Sequence, residues 1–162
     1  MPYNESSIDS KLRAWFQNDL SHALLRKTVL NGSIRGLKNF SISYDFPISV
    51  IAGRNGSGKT TMLALAACAF HGQDNGFRLP SRRVPYYTFS DFLIQSKDEV
   101  SPDGVEIRQF IAYDNWKITK DNLSSLGIKS QVLTKHKGGK WRTYANRVSR
   151  PVIFIGIDRV VP

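Results

Sequence analysis

The residues Gly53-Arg54-Asn55-Gly56-Ser57-Gly58-Lys59-Thr60 fill every fixed position of the pattern G-x-x-x-x-G-K-[ST]. Each residue type has a chemical reason to be there. Gly53, Gly56 and Gly58 lack a Cβ, so they can enter the positive-φ conformations that a tight concave loop needs. Such a loop turns its N–H groups inward and makes a nest for an anion. A helix opening near Gly58 adds unsatisfied N–H groups and the positive end of its dipole. Lys59 supplies a mobile charge for the β- and γ-phosphates of a nucleotide, and the Thr60 hydroxyl suits Mg²⁺.

The flanks are those a phosphate loop requires. Pro47-Ile48-Ser49-Val50-Ile51-Ala52 reads as a short buried strand, and Thr61 to Phe70 as a helix of good helix formers. Two further strands are predicted upstream, over Thr28–Ile34 and Asn39–Tyr44, where Phe40, Ile42 and Tyr44 alternate with Ser41 and Ser43. Residues Ser7 to Arg26 read as an amphipathic helix on Ile8, Leu12, Trp15, Phe16, Leu20, Leu24 and Leu25. Its expected role is to pack on the sheet, with a partner-binding helix as the alternative.

Downstream, His71 to Gly76 stops the helix, and Arg78, Arg82 and Arg83 lie in a Pro-punctuated loop. Tyr86 to Phe89 opens a β region. Ser101-Pro102-Asp103-Gly104 is a turn signal between Phe92–Glu99 and Val105–Tyr113, which together predict a hairpin. Trp116 to Thr119 adds a candidate strand. Gly138-Gly139 predicts a tight turn between Ser130–Thr134 and Trp141–Tyr144. Pro151 to Ile157 is an apolar run that reads as a strand buried on both faces.

The 162 residues suffice for one domain with its own core, and 41% of them are hydrophobic. No apolar run approaches the roughly 18–20 residues that span a bilayer. The start, Met1-Pro2-Tyr3-Asn4-Glu5, lacks the pattern of a signal peptide, so the expected location is cytoplasmic and no membrane is expected as a partner. The single cysteine, Cys68, falls inside the helix after the loop and reads as a small core residue, with a reactive thiol as the alternative. His22, His71 and His136 do not cluster, so zinc is not expected.

The formal net charge of +10 points to a polyanionic partner or a soluble basic surface. Its distribution is uneven. Asn122 to Ile157 contains no Asp or Glu but holds Lys129, Lys135, Lys137, Lys140, Arg142, Arg147 and Arg150, with His136 among them. The basic segment 129–150 is therefore the candidate contact for DNA or RNA. Trp141 and Tyr144 among these cations could stack bases; the plainer reading is a hairpin with both rings turned inward.

The string Gly53 to Thr61, preceded by strands containing Leu37-Lys38-Asn39-Phe40, resembles the ATP-binding heads of the ABC ATPase superclass. The similarity is to the soluble, DNA-linked branch: structural-maintenance-of-chromosomes proteins, RecF-type repair ATPases, overcoming-lysogenisation-defect nucleases and the AAA-family ATPases of bacterial anti-phage systems. The resemblance implies an α/β fold, a P-loop NTPase forming a partial ABC-type head with parallel core strands plus an antiparallel β lobe. It implies one nucleotide-binding domain over 1–162, expected to be truncated, with the amphipathic helix in 1–27 and the P-loop core and β-rich lobe in 28–162.

The implied ligands are ATP and Mg²⁺, with Gly53, Arg54, Asn55, Gly56, Ser57, Gly58, Lys59, Thr60 and Thr61 around the phosphates. Thr60 and Asp158 are the expected metal-proximal residues. Lys38 and Asn39 could approach the nucleotide from the preceding strand. The chain departs from the family's pattern in two places. Leu123-Ser124-Ser125-Leu126-Gly127 has the wrong spacing for a signature motif, and Arg159 follows Asp158 where a catalytic Glu would stand. No catalytic residue is therefore named. The isolated chain is expected to bind nucleotide weakly with almost no turnover, and to need self-association or a second ATPase head. The function expected is an ATP-dependent switch in DNA repair or anti-phage defence. A small-molecule or nucleoside kinase using the same loop is the alternative, and a pure nucleic-acid module a third.

Overall fold

In the computed structural model, residues 4–72, 80, 82–92, 100–143 and 147–155 are described. The chain opens with α1, Ser7–Asn18, started by a capping box in which the Ser6 hydroxyl accepts from the Asp9 N–H at 3.1 Å and Asp9 reaches back to the Ser6 N–H. The helix is shorter than its apolar periodicity predicts. At Asp19 the carboxylate accepts from the Ser21 N–H and hydroxyl and from the His22 N–H. This local turn outcompetes another helical turn. Leu24 and Leu25 consequently belong to a strand.

Four strands follow in one antiparallel sheet: β1 Leu24–Ile34, β2 Leu37–Ser43, β3 Val100–Tyr113 and β4 Gly127–Lys135, in the order β2-β1-β3-β4. Helix α2, Lys59–Ala67, separates β2 from β3 in the chain. Period-two alternation sorts the side chains. Thr28, Leu30, Ile107, Gln109, Ile111, Gln131 and Leu133 turn to the buried face, while Lys27 lies over Phe110 and Arg108 pairs with Glu106 on the other. The buried face meets α2 through Leu65 and Cys68, and the aromatic pair Tyr87 and Phe89 completes that core. Each fully buried Leu, Ile or Phe contributes about 1.5–3 kcal/mol relative to exposure.

Several expectations are corrected. Ser101 to Gly104 is no hairpin turn; β3 runs through it. Val100 pairs with Ile34 and Val105 with Gly32, so four residues of β3 stand opposite Ser33 alone. The turn-forming residues make a bulge instead, with Gly104 at φ 87°. A Cβ on Gly104 would lie 2.7 Å from the Lys135 carbonyl oxygen, so the neighbouring strand also demands glycine there. The predicted partner Phe92–Glu99 lies, beyond Phe92, outside the described residues.

The second correction concerns Pro47–Ala52, which is neither a strand nor buried: Ile48 is 76% and Val50 87% exposed. The apolar segment Pro151–Ile155 is likewise outside any ladder, with Ile155 74% exposed, and its continuation to Ile157 lies outside the described residues. A strand sequence forms a strand only beside a partner, and the described residues place none next to either segment. The sheet present is antiparallel. Third, Tyr86–Phe89 leads into a short 3-10 turn, Phe89–Asp91, and Trp116–Thr119 gives only an isolated bridge, Thr119 with Asn122.

Cys68 is fully buried at the exit of α2, and burial, the largest influence, pushes its thiol up to about 12. The thiolate is thus scarcely populated at neutral pH. A disulfide exchange reagent at pH 8 is expected to label Cys68 only as fast as the protein opens, with full reaction in denaturant; immediate labelling of the native protein would refute this packing.

Candidate nucleotide-binding loop

The loop is shaped by its glycines. Gly56 and Gly58 occupy the left-handed region at φ 79° and 87°. At Gly58 a second constraint applies: a Cβ there would sit 2.4 Å from Leu37 Cδ2. The start of β2 therefore presses directly on the residue that opens α2. A Cβ on Gly53 would meet Ser57 Oγ at 2.8 Å, so the loop closes on itself across that pair. The Ser57 N–H donates to the Arg54 carbonyl at 3.2 Å and completes the curl.

Helix α2 begins with the Met62 N–H donating to the Gly58 carbonyl at 2.9 Å. Gly58 has no side chain with which to cap the helix. The first-turn N–H groups are left to an outside acceptor, which is what an anion-binding helix start requires. Lys59 folds back across the loop. Its Nζ donates to the Gly53 and Arg54 carbonyls, both at 2.8 Å. Those two acceptors are neutral, whereas a phosphate oxygen is charged; hydrogen bonds to charged groups contribute about 1.5–3 kcal/mol against about 0.5–1.5 for neutral pairs. A nucleotide phosphate can therefore win the ammonium group from the loop.

Arg54, Asn55, Gly56, Ser57 and Thr60 are exposed, and Gly58 and Lys59 half-buried. Thr61 is buried at 5% exposure, one residue past the exposed Thr60 hydroxyl. Asp158, the other metal-proximal residue predicted, lies outside the described residues. The donor set fits a phosphate tail: a loop closed by glycines, a helix start without a side-chain cap and an ammonium group at the rim. Among the described residues, no group of three or more His, Cys, Asp and Glu side chains could hold a metal ion without such a ligand.

Lys38 is exposed, and Asn39 is used differently from the sequence expectation. Its side-chain oxygen accepts from the Gly32 N–H at 2.8 Å and braces the bulge of β1. Leu37, two residues earlier, is the contact that sequence reasoning missed. Its only sequence signal was membership of the apolar pattern before Phe40.

A family model described as an AAA domain matches residues 32–150. The chain belongs to this family. The match spans the glycine loop, α2, β3 and β4 and most of the structure that packs against them. The protein is thus a nucleotide-binding ATPase domain, an α/β P-loop NTPase. No curated protein matches the chain. Among the described residues of this AAA domain, no helix is long and apolar enough to cross a membrane.

Gly58→Ala is expected to weaken nucleotide binding about tenfold or more, because a left-handed non-glycine residue costs roughly 1–2 kcal/mol and its methyl group meets Leu37. Adding Leu37→Ala removes the collision but not the backbone cost, so titration calorimetry should register a partial recovery. Full binding by Gly58→Ala alone would show that the loop geometry is mistaken.

Proposed function

We propose that this AAA domain is the ATP-binding head of a larger ABC-type ATPase, acting as an ATP-dependent switch in a DNA-linked process such as repair or anti-phage defence. The observation that carries the reading is the loop: Lys59 held at its rim by two backbone carbonyls and the bare helix start beside it. Gly53 to Thr61 hold ATP in this reading, with the Thr60 hydroxyl and Asp158 next to Mg²⁺. When bound, Mg-ATP supplies the transferable phosphoryl group and the cation that offsets its charge.

Two further features support a head that is part of something larger. The segments 47–52 and 151–155 carry exposed apolar side chains, Ile48, Val50, Ile153 and Ile155, and flank an apolar hollow of about 450 Å³ that includes Leu63 and Phe70 of the α2 region. In this reading both segments become strands of a parallel core in the whole ATPase. The absence from the sequence of a signature motif supports a second head, or self-association, as the source of the missing catalytic groups.

The nucleic-acid part of the reading rests on how the structure divides the acid-free basic stretch. Lys129 donates to Asn122 and Ser124, Arg147 to the Cys68 and Tyr87 carbonyls, and Arg150 to the Ala23 carbonyl, while Lys135 lies over Trp141. His136, Lys137, Lys140 and Arg142 stay exposed around the turn after β4. Trp141 packs on Phe89 at 4.3 Å between ring centres, which supports the inward hairpin over base stacking; Tyr144 lies outside the described residues. The expected contact is with phosphates and is indifferent to base sequence.

Lys59→Ala is expected to lower affinity for Mg-ATP at least about tenfold in titration calorimetry, a loss of about 1.4 kcal/mol; equal affinity would remove the loop from the site. For nucleic acid, three phosphate contacts imply a log–log salt slope of about −2.7 on duplex DNA. The triple change Lys137→Ala, Lys140→Ala, Arg142→Ala should flatten that slope towards zero, and binding indifferent to salt in the unaltered protein would exclude this turn as the contact.

A further inference from the structure

Helix α2 carries the loop's Lys59 and Thr60 at one end, and its other end is held in an unusual way. Its sequence, Lys59-Thr60-Thr61-Met62-Leu63-Ala64-Leu65-Ala66-Ala67, is dominated by small residues on the buried side. Thr61, Ala64, Leu65 and Ala67 are buried there. Alanines bury little area and offer no long knobs to interlock with a sheet. Apolar packing alone therefore leaves the position of α2 along its own axis weakly specified.

Side chains from three other places supply that position. Gln109 of β3 donates to the Leu65 carbonyl at 2.7 Å. Gln131 of β4 donates to the Ala69 carbonyl and to the Gln109 side-chain oxygen, the latter at 2.9 Å. Arg147 Nη1 donates to the Cys68 carbonyl at 2.8 Å and the Tyr87 carbonyl at 3.0 Å. The Val148 N–H donates to the Gln131 side-chain oxygen at 2.9 Å and fixes which way that amide points. Gln109 and Gln131 are 0% and 9% exposed, and Arg147 5%.

The carbonyls at a helix exit have no partner inside the helix. Here three of the carbonyls at or just past that exit are taken by donors from β3, β4 and the segment after β4, and the cation complements the helix dipole. Hydrogen bonds of this kind are directional and buried, where the alternative is an unpaired polar group. Sliding or tilting α2 against the sheet would break several at once.

We propose that Gln109, Gln131 and Arg147 are positioning residues of the nucleotide site: they fix α2 on the sheet and thereby set where Lys59 and Thr60 meet the phosphates. They touch no phosphate themselves; Leu65 lies five residues from Thr60, about 7–8 Å along the helix. The inference rests on the nucleotide-binding reading above.

The test uses the whole chain with Gln109→Met, which keeps volume but loses the donor, and with Arg147→Lys, a milder change that keeps the charge but loses the fork. Affinity for Mg-ATP is measured by titration calorimetry and corrected for the unfolded fraction measured by circular dichroism in the same buffer. Backbone amide shifts of residues 53–60 are recorded without nucleotide. The folded fraction of Gln109→Met is expected to bind about tenfold more weakly, Arg147→Lys less severely affected, and both should shift the Gly58, Lys59 and Thr60 amides. Unchanged affinity per folded molecule together with unmoved loop amides would make the three residues merely structural and overturn the proposal. If the unaltered chain binds no Mg-ATP, the nucleotide reading fails, and the amide shifts alone then decide whether the clamp sets the loop. Should Gln109→Met not fold, Arg147→Lys carries both measurements.

Discussion

A short helix of small residues has to be held at both ends, and the rest of this domain is arranged around doing so. At the entrance Gly58 sits at φ 87° with Leu37 close by, so that a Cβ there would be strained and would make the leucine move. At the exit, amide and guanidinium side chains take the carbonyls that the helix itself leaves bare. Between those points Leu65 inserts among Leu30, Ile107 and Leu133 in the sheet core. Hydrophobic burial brings helix and sheet together without direction; the paired polar groups decide which arrangement is kept. Buried Gln and Arg side chains are costly when unpaired, so a misplaced α2 is penalised more steeply than an all-apolar interface would penalise it.

The same accounting changes the meaning of the net charge. A count of +10 and a stretch without acids suggest one continuous basic surface. The fold instead draws several of those cations inward. Arg147 bonds to the Cys68 and Tyr87 carbonyls and Arg150 to the Ala23 carbonyl, and the segment that follows β4 is further tied by the His71 N–H donating to the Val148 carbonyl and the Arg150 N–H to the His71 carbonyl. Lys129 closes the β3–β4 connection. Their side chains are engaged with internal carbonyls, and the exposed cations left in this stretch are Lys137, Lys140 and Arg142 at the turn after β4.

Much of this architecture was legible in the sequence where local chemistry decides it. The glycine loop, the helix after it and two strands before it follow from motif, helix propensity and alternation at Phe40 and Ile42. The tight turn at Gly138 was also readable, since it has positive φ and closes a bridge between Thr134 and Arg142. What escaped was set by neighbours in space. Pro102-Asp103-Gly104 has turn chemistry, yet the crowding of Gly32, Gly104 and the Lys135 carbonyl makes it a bulge in a long strand. Gln109 and Gln131 sit at inward positions of alternating strands, where a sequence reading expects apolar side chains. Nothing local says that each has a helix carbonyl to meet.

The segments 47–52 and 151–155 show the limit of composition most clearly. Both have the β-branched, apolar content of central strands, and neither is one. A strand's backbone groups are satisfied by its neighbours, so the same residues stay outside any ladder when no strand lies beside them. Phe154 illustrates the substitute available: its N–H donates to the Tyr87 hydroxyl at 3.0 Å, one side-chain bond in place of a ladder. Ile48, Val50, Ile153 and Ile155 then remain exposed, and of these Ile153 lines the same hollow as Leu63 and Phe70. Covering four such side chains would gain several kcal/mol by area alone. Exposed apolar side chains on two segments that line one hollow form a surface whose burial is favourable. The loop hangs directly from the first of these segments at Gly53, while the helix that carries Lys59 is clamped at its other end by Gln109, Gln131 and Arg147.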